Sequence, residues 1–182
     1  MTLKDTAKPI INAILKPIPT NWFTLLIESN LNPNLVTIAR LALNDRDVII
    51  PTGVGTGIKF NCGKANTDAV LGTYELPLQN LLSNRLKPGD IFYDIGANVG
   101  FFTAIAAKLV TATGKVYSFE PVPENAAIVR HNVRQNNFSN VTIIEKAVSA
   151  TTGSSKLWLA RYAGGHTLSD ADIPPDLKGS LV

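Results

Sequence analysis

Residues 89–110, GDIFYDIGANVGFFTAIAAKLV, bring a carboxylate, two glycines and an asparagine to one junction. An apolar run ends at Asp94, and a pattern typical of an apolar helix begins after Gly96, Asn98 and Gly100. Glycines at such a place allow a sharp turn and let a ligand approach the backbone without a Cβ in the way. The following helix points its free N–H groups into the same space. A plain tight turn, with Asp94 capping the helix, is the alternative interpretation.

A parallel sheet is the structure that would position these residues. The segments IFYDI, GKVYSFE and NVTIIEKAV predict three strands, and the patterns VGFFTAIAAKLV and PENAAIVRHNVRQNN predict helices between them. Strands that alternate with helices of this length indicate right-handed βαβ units. Because ligands bind beyond the carboxyl ends of the strands in such sheets, we expect the functional residues at those ends.

The ends of the second and third strands carry the next candidates. The second strand ends at Glu120, about 20 residues beyond the glycine loop, where a carboxylate can accept hydrogen bonds from ribose hydroxyls. The third strand ends near Glu145, Lys146 and Ala147, where a flat base has room to lie against the loop. Together the three strand ends predict a nucleoside site, with a solvated surface carboxylate as the alternative for Glu120.

The charge of the loop indicates which nucleoside is bound. Phosphate ligands usually bring a G-x-G-x-x-G loop or a P-loop with Lys-Ser/Thr, and neither occurs at this junction. Asp94 would repel a pyrophosphate but suits an ammonium or sulfonium group. S-adenosylmethionine carries both of these cations and no phosphate, so it is the predicted cofactor. A nicotinamide-dependent oxidoreductase is the alternative, which the missing glycine motif disfavours.

The composition fits a globular domain and narrows the possible partners. The chain has 182 residues, 45% of them hydrophobic and 17% charged, so it can bury a sizeable core. Its net charge of +3 comes from scattered lysines and arginines, which disfavours nucleic acid as a partner. The single cysteine, Cys62, has no disulfide partner, and no Cys/His cluster has metal-ligand spacing. We therefore expect no metal, a reducing cytoplasmic location and no integral membrane span, since no apolar run approaches ~20 residues.

The remainder of the chain predicts helices and a hairpin. Residues 1–46 are expected to form a helical appendage, in which Asn32 caps a helix that begins at Pro33. RDVIIPTGVGTGIKFN predicts two short strands around a glycine turn, and ELPLQNLLSNRLKPGD predicts a helix. GSSKLWLARYAGGHTLSD predicts one or two further strands, and the tail ADIPPDLKGSLV predicts a loop.

From about residue 47 to about residue 170 the chain resembles the FkbM family of class I S-adenosylmethionine-dependent methyltransferases. The resemblance is carried by DIGANVGFFT, FEPVPEN and the segment NVTIIEKAVSATTGSSKLWLA. It implies a Rossmann-like α/β fold and an enzyme that methylates oxygen, commonly a hydroxyl of a sugar or natural product. Applied to this chain, it implies contacts with the methionine side, the ribose, the adenine and the amino-acid end of the cofactor. By this resemblance the loop of Asp94, Gly96, Asn98 and Gly100 contacts the methionine side, and Glu120 contacts the ribose. Ala147 lies by the adenine, and Glu75, in the matching Tyr74-Glu75 pair, faces the amino-acid end.

One departure from the family limits this prediction. A K-x-D-x-E-G-like motif expected downstream is missing before Val182, so residues 47–182 are expected to form a truncated methyltransferase domain. No catalytic residue is assigned. A first strand without its outer neighbour would be an unpaired edge, through which self-association or a partner is expected. The acceptor is expected to be a small molecule or glycan. The alternative function is a non-catalytic cofactor-binding remnant or half of a split enzyme.

Overall fold

The computed structural model describes residue 15 and residues 17–29, 32–159 and 178–181. Its helices are α1 (Thr20–Ser29), α2 (Pro33–Leu43), α3 (Asp68–Leu71), α4 (Leu76–Arg85), α5 (Phe101–Val110) and α6 (Pro123–Gln135). Its strands are β1 (Asp47–Ile49), β2 (Lys59–Asn61), β3 (Ile91–Ile95), β4 (Lys115–Phe119), β5 (Val141–Ile144), β6 (Lys156–Leu159) and β7 (Lys178–Leu181).

A parallel sheet of β3, β4 and β5, in that order, forms the centre of the fold. In its register Asp94 lies opposite Ser118 and Ile95 lies opposite Phe119, so the carboxyl ends of β3 and β4 share one edge. Helix α5 connects β3 to β4, and α6 connects β4 to β5. This arrangement confirms the predicted α/β, Rossmann-like βαβαβ unit.

Helix α5 packs against β3 and β4 and is buried over most of its surface. Its small and apolar side chains explain this burial, because they allow a helix to lie close to a sheet without leaving polar groups unsatisfied. The buried Val116 and Ser118 of β4 belong to the face of the sheet that meets this helix. Helix α5 thereby fixes the position of the loop that precedes it.

Strand β3 is the edge of this sheet in the part of the chain that the structure describes. Its Ile91, Tyr93 and Ile95 side chains are 58%, 58% and 63% exposed, and the Tyr93 ring stacks on that of Tyr117 with 5.2 Å between centroids. The expected unpaired edge is therefore present among the described strands. Self-association through it stays a prediction.

The N-terminal helices and the hairpin share a core with the sheet. Asn32 accepts hydrogen bonds from the backbone N–H groups of Asn34 and Leu35, which confirms the predicted cap of α2. Strands β1 and β2 pair antiparallel around the glycine-rich turn, as predicted. Leu43 of α2 and Phe60 of β2 are fully buried in the same cluster as residues of α5. The boundary between an appendage and a domain near residue 47 stays a prediction.

Strands β6 and β7 form an antiparallel pair. The prediction of a loop over the tail is therefore wrong for Lys178–Leu181, which pairs along its whole length with Lys156–Leu159. Within the described ranges, no helix is both long enough and apolar enough to cross a membrane. Those ranges also hold no group of three or more His, Cys, Asp or Glu side chains placed to bind a metal ion.

Candidate functional site

The loop after β3 turns sharply across the end of β4. The backbone N–H groups of Gly96 and Ala97 both donate to the carbonyl oxygen of Phe119, at 3.0 and 2.9 Å. Gly96 and Asn98 have φ values of +78° and +53°, in the left-handed region that favours glycine and tolerates asparagine. The sharp turn that the glycines were expected to allow is therefore present, whereas the alternative in which Asp94 is the cap of the helix is wrong, because the N-cap is Gly100.

Glu120 is the buried anchor of this loop. It is 4% exposed, and its Oε2 accepts a hydrogen bond of 2.7 Å from the backbone N–H of Asn98. Its Oε1 accepts from the backbone N–H of Val122 at 2.9 Å and from Asn125 Nδ2 at 3.4 Å. A carboxylate oxygen has two lone pairs, so Oε2 can accept one more hydrogen bond. The alternative interpretation of Glu120 as a solvated surface carboxylate is wrong.

Asp94 is held by the helix that follows it. Thr103 of α5 donates a hydrogen bond of 2.5 Å to Asp94 Oδ2 and also lies 3.0 Å from the hydroxyl oxygen of Ser118. Burial raises the pKa of the Asp94 carboxyl above its ordinary value, and the negative charge of Glu120 acts in the same direction. A cationic ligand beside Asp94 would relieve this cost of keeping the carboxylate ionised.

Gly100 has a packing role. It is left-handed, with a φ of +82°, at the start of α5. A Cβ at this position would lie 3.0 Å from Val129 Cγ1 of α6, closer than side chains normally approach. Gly100 therefore allows α5 and α6 to come together behind the loop, and its contribution to a ligand site is indirect.

A cavity of about 340 Å³ lies in front of the loop. Four of the predicted site residues line it, namely Glu75, Asp94, Gly96 and Asn98. Glu120, Gly100 and Ala147 are not among the lining residues, and Ala147 is half-buried beyond the end of β5. The structure thus brings three of the four predicted methionine-side residues, Asp94, Gly96 and Asn98, to one cavity with Glu75. The ribose contact at Glu120 and the adenine contact at Ala147 stay predictions.

The other wall of the cavity comes from the segment before the sheet. Tyr74 lines it, with its ring 5.9 Å from that of Phe101 and 6.1 Å from that of Phe102. Burial raises the pKa of the Tyr74 phenol, as do a hydrogen bond to Glu75 and the charge of that carboxylate. The phenol therefore stays protonated at neutral pH. Glu75 itself has left-handed backbone angles, φ +46° and ψ +53°, at the N-cap of α4.

Sequence reasoning missed Thr103 and the aromatic wall. Thr103 is fully buried and holds Asp94 in place, yet the sequence shows it only as a hydroxyl residue in a largely apolar helix. A hydroxyl residue in an apolar helix indicates a buried polar contact, because a buried hydroxyl needs a hydrogen-bond partner. Tyr74 and Phe102 belong to segments that are distant in the chain, so no local sequence pattern predicts their contact.

The region that forms this site also matches a known protein family. The family model described as "Vibrio cholerae RfbT protein" matches residues 64–154, which is half of the chain. The chain belongs to this RfbT protein family. The matched residues include the whole βαβαβ unit and all seven predicted site residues.

The RfbT-family chain is also similar to curated methyltransferases. Over 96 residues it is 32% identical to the protein-L-isoaspartate O-methyltransferase of Aeropyrum pernix, covering 53% of this chain and 35% of that protein. Over 71 residues it is 35% identical to a probable cobalt-precorrin-6B C(15)-methyltransferase of Sulfolobus acidocaldarius, covering 39% and 37%. The matches therefore span about a third of these relatives' length. Their names indicate a relationship to class I S-adenosylmethionine-dependent methyltransferases.

Among solved structures, the RfbT-family chain is similar to an S-adenosylmethionine-dependent O-methyltransferase from Thermotoga maritima. The identity is 26% and the TM-score 0.37, over 42% of this chain and 30% of that one.

The cavity of this RfbT-family chain fits a ligand with hydrogen-bond donors and positive charge. In the described part of the chain, Asn98 Oδ1 is buried and accepts no hydrogen bond, and Asn98 is one of the residues that line the cavity. A Cβ added to Gly96 would meet nothing within 4 Å, so the backbone there is open to a ligand. Asp94 and Glu75 add two carboxylates to the same cavity. Acceptors and negative charge suit an ammonium or sulfonium and disfavour a phosphate.

Proposed function

We propose that this chain binds S-adenosylmethionine and acts as a methyltransferase on an oxygen acceptor. The observation that carries the proposal is the cavity lined by Asp94, Glu75 and Asn98, the last of which has a buried Oδ1 without a hydrogen-bond partner. All three groups accept hydrogen bonds, and two carry negative charge. S-adenosylmethionine offers an ammonium and a sulfonium and lacks phosphates. The named methyltransferases with which the chain shares sequence support the same ligand.

Five of the predicted site residues have the following proposed roles toward the cofactor. Asp94 and Asn98 bind its methionine portion, and Gly96 lets that portion lie against the backbone. Glu120 directs the lone pair that Oε2 keeps free toward a ribose hydroxyl, while it holds the loop through the Asn98 N–H. Ala147, after β5, packs against the adenine.

The contribution of the protein to methyl transfer is mainly one of position. When bound, S-adenosylmethionine supplies an electrophilic methyl group on its sulfonium. The chain orients the cofactor through Asp94, Glu120 and the loop, and the aromatic wall of Tyr74 and Phe102 excludes water. Correct orientation alone can contribute ~7–11 kcal/mol to lowering a barrier.

The acceptor is proposed to present an oxygen. Several of the curated relatives are named protein-L-isoaspartate O-methyltransferases, and the resemblance to the FkbM family also implies oxygen. From that resemblance we propose a hydroxyl of a sugar or natural product. The names of the relatives favour a second candidate, the carboxyl group of a peptide isoaspartate.

A methyl-transfer assay tests the proposal and separates the two acceptors. The chain is incubated with S-adenosylmethionine labelled in its methyl group, together with an isoaspartyl peptide or with a panel of sugars. Label on the sugar as an alkali-stable methyl ether supports the hydroxyl, whereas an alkali-labile methyl ester supports the isoaspartate. Binding of the cofactor without transfer to any acceptor would favour a non-catalytic cofactor-binding module or half of a split enzyme.

A further inference from the structure

One fully buried amide, that of Gln79 in α4, ties together three segments of the chain. Its Nε2 donates to the carbonyl oxygens of Gly72, at 3.0 Å, and Tyr74, at 2.6 Å. Its Oε1 accepts a hydrogen bond of 3.0 Å from the backbone N–H of Val54, in the hairpin turn. Gln79 is 0% exposed, so these partners satisfy an amide that has no access to water.

The turn that Gln79 holds leaves its backbone little freedom. A Cβ on Gly72 would lie 2.0 Å from the carbonyl oxygen of Thr52, and one on Gly53 would lie 2.4 Å from that of Gly72. The turn ends at Glu75, whose left-handed φ of +46° is unusual for a residue other than glycine. Such strained residues persist where the surrounding structure holds them, and they are common at ligand sites.

The strained residue is also one that faces the ligand cavity. Glu75 borders the cavity together with Asp94 and Tyr74, and its carboxylate contributes, after burial, to the raised pKa of the Tyr74 phenol. Gln79 bonds to the carbonyl of Tyr74, immediately before Glu75, and so fixes the backbone from which this carboxylate projects. An apolar side chain of similar size could fill the same volume, but it could not set the direction of that carbonyl.

We propose that Gln79 is a positioning residue that sets the Glu75 carboxylate toward the ammonium group of bound S-adenosylmethionine. The proposal rests on the proposed function and deepens it. Gln79 does not touch the ligand. It acts through the turn of Gly72–Glu75. It therefore raises the affinity for ligands that carry the amino-acid portion and does not affect binding of the nucleoside portion.

Two ligands that differ only in that portion make the proposal testable. S-adenosylhomocysteine carries the ammonium and carboxylate, whereas 5′-methylthioadenosine keeps the nucleoside and thioether without them. In Gln79→Met the affinity for S-adenosylhomocysteine should fall about tenfold, because a charge-assisted hydrogen bond is misdirected. The affinity for 5′-methylthioadenosine should stay within about twofold of wild type. Both affinities are measured by calorimetry.

Asn140 offers a matched control. It is another buried amide, 4% exposed, whose Nδ2 donates to the carbonyl oxygens of Ala107 and Thr111, none of which lines the cavity. Asn140→Leu should lower the stability of the fold and leave both affinities unchanged. In a Glu75→Gln background, Gln79→Met should produce no further loss of S-adenosylhomocysteine affinity. If Gln79→Met does not fold, Gln79→Asn withdraws the same amide from Tyr74 and should show the same selectivity.

The outcomes separate this proposal from the function on which it rests. If wild type binds neither ligand, the proposed function fails. If wild type binds both ligands and the Gln79 variants weaken both equally or weaken neither, the positioning role is overturned. A full additional loss in the Glu75→Gln background would also overturn it.

Discussion

The backbone N–H of Asn98 donates a hydrogen bond of 2.7 Å to Oε2 of Glu120. The residue at the carboxyl end of β4 thus fixes the loop that follows β3, even though 22 positions separate the two residues in the chain. Because the loop borders the cavity, Glu120 shapes the site through this hydrogen bond, and the contact of its Oε2 with a ribose hydroxyl stays a proposal. The two roles make Glu120 the most informative residue to change.

Glu120→Gln should weaken S-adenosylmethionine binding about tenfold to a hundredfold, because hydrogen bonds to a charged group contribute ~1.5–3 kcal/mol. The amide nitrogen that replaces one oxygen cannot accept from the N–H of Asn98 or Val122. Calorimetry measures the affinity. The control is Glu124→Gln, which changes an exposed carboxylate at the second position of α6. Equal affinities for the Glu120 variant and wild type would contradict the role assigned here.

Asp94→Asn should stabilise the ligand-free fold while it weakens ligand binding. Burial raises the pKa of Asp94, and the negative charge of Glu120 adds to this effect. The ionised carboxylate therefore disfavours folding at neutral pH. An asparagine removes that charge and can still accept from Thr103. Denaturant unfolding should therefore give a higher midpoint for the variant, and titration should give a lower affinity for S-adenosylmethionine. A less stable variant would show that the Thr103 contact requires the charge.

The affinity of the wild-type protein should depend on pH through the same carboxyl. A cation binds the ionised form, so affinity is full above the Asp94 pKa and is lost as the pH falls through it. Because that pKa is raised, the loss begins at a higher pH than the ordinary value of 3.8 would give. The folding contribution of Asp94 has the opposite sign, since it is most favourable at low pH and is lost as the pH rises through the raised pKa. Asp94→Asn should flatten this part of the affinity profile, which calorimetry at several pH values would measure.

Two glycines of the loop should respond differently to alanine. Both are left-handed, which costs an alanine roughly 1–3 kcal/mol. At Gly100 the new methyl group also crowds Val129, so the main effect should be on unfolding. At Gly96 the methyl group meets no protein atom but borders the cavity, so the main effect should be on ligand affinity. Unfolding and titration of both variants check this contrast, and identical profiles would contradict it.

The sequence predicted the elements and residues whose cause is local. Alternating strand and helix patterns gave the βαβαβ unit, and the parallel topology then placed Asp94 and Glu120 at one edge of the sheet. Features that depend on distant contacts were not predictable in this way. Strand β7 forms through its pairing with β6, and the buried role of Gln79 depends on Val54, 25 positions earlier in the chain. The helix pattern gives no indication of the hydrogen bonds that Gln79 makes, because these depend on how the turn packs against α4.

Calorimetric titration of the folded chain with S-adenosylmethionine tests the central claim most directly. We expect saturable binding of one molecule per chain, competition by S-adenosylhomocysteine, and no heat of binding with NADH. Circular dichroism before the titration confirms that the protein is folded. A folded chain that binds no S-adenosylmethionine, or that binds NADH in its place, would contradict the account.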